Sequence, residues 1–125
     1  MSAIEQNQLV AVYGTLKRNF PNHGLLQGST FVGLDYLKGI ALYDLGWFPA
    51  ARLEEHSSAH VEIFAVSSKT LSALDHLEGY RPDSPESSFY CRLQLASRFG
   101  QAWLYVFNQP LGDFARIPSG RWTGH

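Results

Sequence analysis

The eight residues Leu9–Leu16, which read LVAVYGTL, constrain the fold of this chain more than any other stretch. Five consecutive apolar residues, Leu9 to Tyr13, predict a buried β-strand, and Gly14 ends it. A strand that stops on a glycine presents backbone N–H groups at its end with no side chain in the way. We therefore expect this turn to hold an anion or an oxyanion that develops during a reaction. An ordinary strand that ends in a glycine turn remains the alternative on this signal alone.

The length and charge of the chain narrow the class of protein. A chain of 125 residues predicts a single domain over 1–125, with 1–8 as a loose polar leader. The net charge of −1 gives no electrostatic reason to expect nucleic acid or an anionic membrane as a partner. The chain begins without the basic start and apolar run of a signal peptide, and no stretch approaches the ~18 apolar residues of a membrane span. The single cysteine, Cys91, excludes an internal disulfide and is expected to be a buried structural thiol. We therefore expect a cytoplasmic protein.

The order of the predicted elements favours a sheet-rich fold over regular alternation of strands and helices. Gly33 and Gly39 are expected to be bends or bulges within one or two strands. Five to seven strands and one firm helix predict an α+β fold, a small mixed or antiparallel β-barrel with one or two flanking helices. The predicted strands are Leu9–Tyr13, one or two within Thr30–Leu45, one that begins at Ala51–Leu53, His60–Val66, Phe89–Ala96 and Gln101–Asn108.

The stretch Ser67–Glu78 gives the clearest helix prediction. Ser67 or Ser68 can cap its start, and Gly79 can end it in the left-handed conformation. At ~100° per residue, Glu78 falls inside the apolar stripe of this helix. The stripe consists of Leu71, Leu74 and Leu77.

Glu78 is the strongest candidate for a catalytic group. A carboxylate on a buried stripe loses hydration, and the partial negative charge of a helix C-terminus disfavours it further. Both effects are expected to raise its pKa above the usual value of about 4.3. A raised pKa suits a general base that must later act as an acid. The alternative is a glutamate that reaches solvent from the end of the helix.

Two other groups of residues carry weaker signals. Four side chains, Glu54, Glu55, His56 and His60, have spacings that a metal site could use. We expect no metal there, because the helical context is poor. Arg92 is a candidate either to bind a carboxylate of a ligand or to pair with an acidic side chain of the protein, Glu62 or another.

Together these residues resemble a known family. The opening Tyr13-Gly14-Thr15-Leu16, followed by Lys17-Arg18 and Pro21-Asn22-His23, is similar to that of the γ-glutamylcyclotransferase-like proteins, and particularly of the γ-glutamylamine cyclotransferase subgroup. The later motifs follow in the order of the family, so that the resemblance covers nearly the whole chain. They are Leu42-Tyr43-Asp44-Leu45-Gly46, Glu62-Ile63-Phe64, Leu74 to Tyr80, Tyr90-Cys91-Arg92 and Ser119-Gly120-Arg121-Trp122.

The resemblance implies a small β-barrel with a pocket at the YGTL turn. It implies an enzyme that cleaves small-molecule γ-glutamyl amides by attack of the substrate's own α-amine on its γ-carbonyl. The products would be 5-oxoproline and a free amine or amino acid, with no metal or cofactor. Glu78 would be the catalytic carboxylate. The residues expected to bind substrate are Tyr13, Gly14, Thr15, Leu16, Tyr80 and Arg92.

Three positions depart from the pattern of the family. Val61 stands where the family often has glycine, Phe64 where it often has tyrosine, and Arg121 where it often has aspartate. Changes in the pocket wall at Val61 and Phe64 motivate a second hypothesis, a binding module that holds a γ-glutamyl or amino-acid ligand without turnover. A third hypothesis, a purely structural barrel that acts through partners, predicts a pocket filled by side chains.

Overall fold

One mixed sheet of six strands, curled into a half-barrel, forms the body of the protein in the computed structural model, which describes residues 7–124. The predicted α+β class and the mixed sheet with a flanking helix are confirmed, although the barrel is half-formed rather than closed. The elements are β1 (Gln8–Val12), β2 (Thr30–Asp44), β3 (Pro49–Val66), α1 (Ser68–Glu78), β4 (Tyr90–Ser97), β5 (Gly100–Phe107) and β6 (Ala115–Arg116), with 3₁₀ turns at His23–Leu26 and Pro85–Ser87. Of the predicted leader 1–8, residues 1–6 lie outside the described range, and Gln8 already belongs to β1.

Strand β3 lies at the centre of the sheet, whose order is β4-β5-β1-β3-β2-β6. Strand β1 runs parallel to β5 and antiparallel to β3. The pairing of β2 with β3 shifts register between Phe31 and Gly33 and again between Lys38 and Ile40, which confirms the bulges predicted at Gly33 and Gly39. The strands predicted separately at Ala51–Leu53 and His60–Val66 are one continuous strand, since both pair with β2.

The sheet buries apolar side chains on both of its faces, where they form two separate clusters. Alternate residues of β1 therefore enter two different clusters: Val10 and Val12 pack with Leu74 of α1, and Ala11 packs with Ile63 and other residues of the opposite face. The interior position predicted for His60–Val66 is confirmed, because β3 pairs with β1 on one side and β2 on the other. The end of β1 is thereby held rigidly at the centre of the fold.

Helix α1 begins and ends at the predicted signals. The Ser67 side chain accepts a hydrogen bond from the Thr70 N–H at 3.1 Å, and Gly79 ends the helix with φ of 64°. The predicted apolar stripe is wrong at Leu77, which is 40% exposed. Asp75 is buried instead, since it lies one helical turn after Leu71 on the same face.

The buried Asp75 ties the last turn of α1 to the sheet. Arg92 of β4 donates from Nε to Asp75 Oδ1 at 2.7 Å and from Nη2 to Oδ2 at 3.0 Å. The Tyr105 hydroxyl of β5 donates to the same Oδ1 at 2.7 Å. These bonds set the position of Glu78, which follows Asp75 within the same helical turn.

Two further expectations concern regions away from the end of β1. Cys91 is half-buried rather than buried, and its Sγ lies 3.4 Å from the carbonyl oxygen of Pro85. Burial raises the pKa of its thiol. Within residues 7–124, no helix has the length and apolar character that crossing a membrane requires.

Candidate active site

A cavity of about 620 Å³ opens between the end of β1 and the end of α1. Its lining includes Tyr13, Gly14, Thr15 and Leu16 from the predicted turn, together with Glu78. The volume lies within the ~300–1,000 Å³ that is typical of small-molecule sites. The structure therefore brings the two strongest sequence candidates to one open space, and the pocket is not filled by side chains.

Gly14 is required by close packing rather than by an unusual φ angle. A Cβ at this position would lie 2.6 Å from Pro49 Cδ and 2.7 Å from Pro49 Cγ, much closer than van der Waals contact. Pro49 is the first residue of β3 and is itself buried. The glycine therefore lets the turn sit against the start of the central strand.

The turn after β1 keeps its carbonyl groups bonded and leaves N–H groups available. The Gly14 carbonyl accepts from the Lys17 N–H at 3.0 Å, and the Thr15 carbonyl accepts from the Asn22 N–H at 2.8 Å. The Asn22 side chain also donates to Thr15 Oγ1 at 2.9 Å. Among residues 7–124, the N–H groups of Thr15 and Leu16 find no hydrogen-bond acceptor. Such donors at the edge of a cavity can bind a carboxylate or an oxyanion.

Glu78 has the environment that the helix pattern predicts. It is partly buried at the end of α1, and burial raises its pKa from the ordinary value of 4.5 to about 7. Among residues 7–124, no lysine or arginine lines the cavity, so no fixed cation there lowers the pKa of Glu78. Near neutral pH the side chain therefore exists in both protonation states, and it can accept and donate a proton with little cost.

Three tyrosines form the inner wall of the cavity, and their hydroxyls are already committed to the protein. Tyr13 donates to the Tyr105 carbonyl at 2.6 Å, Tyr90 to the Pro49 carbonyl at 3.0 Å, and Tyr105 to Asp75. Burial is the main cause that raises the pKa of each hydroxyl, and the negative charge of Glu78 adds to it. The three rings are therefore neutral and fixed, and they shape the wall around Glu78.

The structure does not bring Tyr80 and Arg92 to this cavity, although both were expected to bind substrate. Arg92 is held by Asp75 through two hydrogen bonds, so the second alternative for Arg92, pairing with an acidic side chain, is the one observed. The Tyr80 ring lies 5.3 Å from the Arg92 guanidinium carbon. Glu62, the other partner considered for Arg92, accepts from the Arg18 N–H at 2.9 Å instead. Neither Tyr80 nor Arg92 lines the cavity.

The four residues that suggested a weak metal site differ in their partners and in their burial. Glu54 accepts from the Tyr43 hydroxyl at 2.7 Å and pairs with Arg116 at 3.2 Å. Glu55 and His56 are exposed, whereas His60 is buried. Across residues 7–124, no group of three or more His, Cys, Asp or Glu side chains is arranged to hold a metal ion.

The mouth of the cavity consists of residues that sequence reasoning did not assign to a site. Trp47 and Phe48 come from the turn between β2 and β3, Leu77 from α1, and Phe89 from the residue before β4. Trp47 and Phe48 could have been found from one signal, a pair of aromatic residues in a turn. Apolar side chains in a turn have no strand or helix of their own to pack on. No periodicity places such loops relative to Glu78.

Comparison with known proteins identifies the family. A family model described as gamma-glutamyl cyclotransferase, AIG2-like, matches residues 10–124. A Vibrio cholerae protein, provisionally named a gamma-glutamylcyclotransferase, is 40% identical over 115 residues, 91% of this chain and 94% of that protein. The solution structure of Escherichia coli YtfP superposes with a TM-score of 0.73 at 27% identity, over 92% of this chain and 96% of that one. A mouse AIG2-like protein shares the fold, with a TM-score of 0.75 at 21% identity over 93% of this chain and 88% of that one. The chain therefore belongs to the gamma-glutamyl cyclotransferase, AIG2-like family.

Proposed function

We propose that the protein is a γ-glutamyl cyclotransferase that converts a γ-glutamyl amide into 5-oxoproline and a free amine. The observation that carries this proposal is the meeting of two groups in one cavity. Glu78, whose pKa burial raises to about 7, lines the same cavity as Thr15 and Leu16, whose N–H groups have no acceptor among residues 7–124. Glu78 can accept and donate a proton, and the N–H groups of the turn can bind an anion. The proposed reaction needs both.

The reaction makes one C–N bond and breaks another within the same molecule. The uncharged α-amine of the substrate attacks the γ-carbonyl carbon, and Glu78 takes the proton that this nitrogen gives up. The carbonyl oxygen becomes an oxyanion, which the N–H groups of the turn can stabilise. Glu78 then gives its proton to the leaving nitrogen, the old amide bond breaks, and the carboxylate is ready for another cycle.

For ring closure, the main task of the protein is to hold the substrate in a bent conformation. Because the nucleophile and the carbonyl belong to one molecule, the site need only hold a bent conformer, and such proximity can be worth about 7–11 kcal/mol of the barrier. The fixed tyrosine wall and the rigid end of β1 can hold the substrate in this bent conformer. Every step of the proposed reaction uses only the substrate, Glu78 and the backbone of the turn.

The direct test is product identity. The protein, incubated with a panel of γ-glutamyl amides, is expected to release 5-oxoproline and the free amine in equal amounts, measured by mass spectrometry. Release of glutamate in place of 5-oxoproline would show hydrolysis and contradict the proposal. Tight binding of γ-glutamyl amides without product across the panel would favour the binding module instead.

The pH dependence of the reaction is expected to report Glu78. Because burial raises the pKa of Glu78 to about 7, kcat/KM should fall as pH decreases through about 7, where the base becomes protonated. The pH profile of kcat/KM, corrected for the separately titrated substrate amine, measures this limb. The variant Glu55→Gln, whose side chain is 94% exposed, should leave it unchanged. A midpoint near 4.5 would contradict the assignment of Glu78 as the base.

A further inference from the structure

A second cavity, of about 590 Å³, lies beside the segment that follows the YGTL turn. Among residues 7–124, none lines both this cavity and the one at Glu78. Three parts of the chain form its wall: the segment after the turn, strand β3 and the C-terminal segment. Its ionisable lining residues are Lys17, Arg18, His23, His60, Glu62 and Arg121. The second cavity is therefore basic, whereas no lysine or arginine lines the cavity at Glu78.

The positive charge of the second cavity is only partly compensated. Glu62 is the one acidic side chain among its described lining residues. Its Oε1 accepts from the Arg18 N–H at 2.9 Å and from Arg18 Nε at 3.2 Å, so this carboxylate already has a cation. Within the described range, neither Lys17 nor Arg121 forms an ion pair. These two residues leave about two positive charges that no carboxylate of the wall balances.

Lys17 is the more unusual of the two cations, because it is only 3% exposed. Its Nζ donates to the Trp122 carbonyl at 2.7 Å and lies 5.0 Å from the centre of the Phe20 ring. Burial lowers the pKa of Lys17, and the charge of Arg121 lowers it further, while Glu62 acts in the opposite direction. An ammonium has three N–H donors and is costly to bury without an anion. A bound anion would offset this cost.

His60 adds a second buried polar group to the same wall. It is 5% exposed, and its Nδ1 is buried with no hydrogen-bond partner among residues 7–124. Burial lowers the pKa of its imidazole, and the charges of Arg121 and Lys17 lower it further, against the opposite effect of Glu62. The ring is therefore neutral near pH 7 and has one N–H to donate. Buried polar atoms are ordinarily bonded, and a ligand in the cavity is a partner that can satisfy this ring.

We propose that the second cavity binds a phosphate group, either as the free ion or as the monoester of a small molecule, through Lys17, Arg121 and His60. A phosphate group carries a charge of about −1.5 to −2 at pH 7, which matches the two uncompensated cations. Lysine offers it a compact point charge, and the planar fork of arginine matches its oxygen atoms. The cavity has room for the rest of a small monoester. This site is separate from Glu78 and does not depend on the proposed function.

Titration of the full chain with inorganic phosphate tests the proposal. The readout is the ¹H–¹⁵N NMR spectrum at pH 7, with the ionic strength held constant by sodium chloride. Saturable shifts are expected at the backbone amides of Lys17, His60 and Arg121, with no comparable shifts at Thr15 or Glu78. Glycerol 3-phosphate, titrated in the same way, shows whether the free ion or the monoester binds more tightly. Saturable binding of either probe at these residues supports the proposal.

Substitutions of single cations show whether the shifts report the proposed contacts. Arg121→Gln should weaken phosphate binding at least about tenfold, the scale of one charged hydrogen bond. Because Arg121 is exposed, its replacement should leave the fold intact. Arg98→Gln is the matched control, since Arg98 is an exposed arginine outside both cavities, and it should leave the affinity unchanged. Lys17→Met keeps the length of the side chain without its charge and should also weaken binding, with the same spectrum checking that the variant is folded.

Four results would overturn the proposal. The first is the absence of saturable shifts with either phosphate probe, and the second is that sodium chloride alone reproduces the shifts. The third is an equal loss of affinity in Arg121→Gln and Arg98→Gln. The fourth is a set of shifts centred on Thr15 and Glu78, which would place the anion at the first cavity. If succinate bound more tightly than both phosphate probes, the site would take a dicarboxylate and the assignment to phosphate would be wrong.

Discussion

Replacement of Glu78 by glutamine is expected to lower kcat/KM for 5-oxoproline release by about 10²–10⁴-fold, the range that a general acid–base group contributes. Glutamine keeps the shape and polarity of the side chain, so substrate binding should change little. It cannot take the proton that the attacking amine gives up, nor return one to the leaving nitrogen. We therefore expect the loss to fall mainly on kcat, measured by mass-spectrometric initial rates.

The same substitution is expected to stabilise the fold above neutral pH. The pKa of Glu78 is raised to about 7 in the folded protein from an ordinary value of 4.5, so the folded state binds its proton more tightly than the unfolded state. That contribution to stability is fully present below pH 4.5 and is lost as pH rises through about 7. At pH 8 the buried carboxylate costs about 1–3 kcal/mol, and glutamine carries no such charge. Thermal unfolding at pH 8 should show a Tm several degrees higher for the variant.

The pairing of lost activity with gained stability makes this experiment informative. Glu55→Gln removes a carboxylate that is 94% exposed, and it should change neither the rate nor the Tm. If Glu78→Gln released as much 5-oxoproline as the wild type, Glu78 would not be the base. If its Tm at pH 8 equalled that of the wild type, the carboxylate would not be held in a poorly hydrated site.

The parts of the site that could be predicted are those with local signals. The strand before Gly14 follows from a run of apolar residues, and the helix end at Gly79 follows from capping chemistry and a period of 3.6 residues. Glu78 could be found because its position on the buried face depends on spacing within a single helix. The same position accounts for its raised pKa, because burial is what raises it.

The parts that could not be predicted depend on contacts between distant residues. The need for glycine at position 14 comes from Pro49, which approaches only after β3 has paired in the sheet. The pairing of Arg92 with Asp75 requires knowing which strand lies under α1, so the sequence left several acidic partners open. Trp47 lies in a turn, where no periodicity says which cavity a side chain borders.

The Asp75–Arg92 pair is expected to give the largest effect on stability of any single substitution considered. The two side chains are only 11% and 17% exposed, and the Tyr105 hydroxyl bonds to the same carboxylate. Asp75→Ala would leave the largely buried guanidinium with only its contacts to the Trp103 and Tyr80 rings, and the Tyr105 hydroxyl without its acceptor. Breaking a buried pair in this way costs about 3–5 kcal/mol. Urea unfolding at pH 7 measures the change in the free energy of unfolding.

A double-mutant cycle separates the pair from the other contacts of its members. The coupling energy from Asp75→Ala and Arg92→Ala should reach about 1.5–3 kcal/mol, because both groups are desolvated and the contact is bidentate. The more exposed pair of Arg116 and Glu54, 41% and 37% exposed, is the matched control and should give about 0.2–1 kcal/mol. Equal coupling in the two pairs would contradict the view that Asp75 anchors α1 to the sheet. Because this anchor lies within one helical turn of Glu78, Asp75→Ala should also lower kcat/KM in the molecules that remain folded.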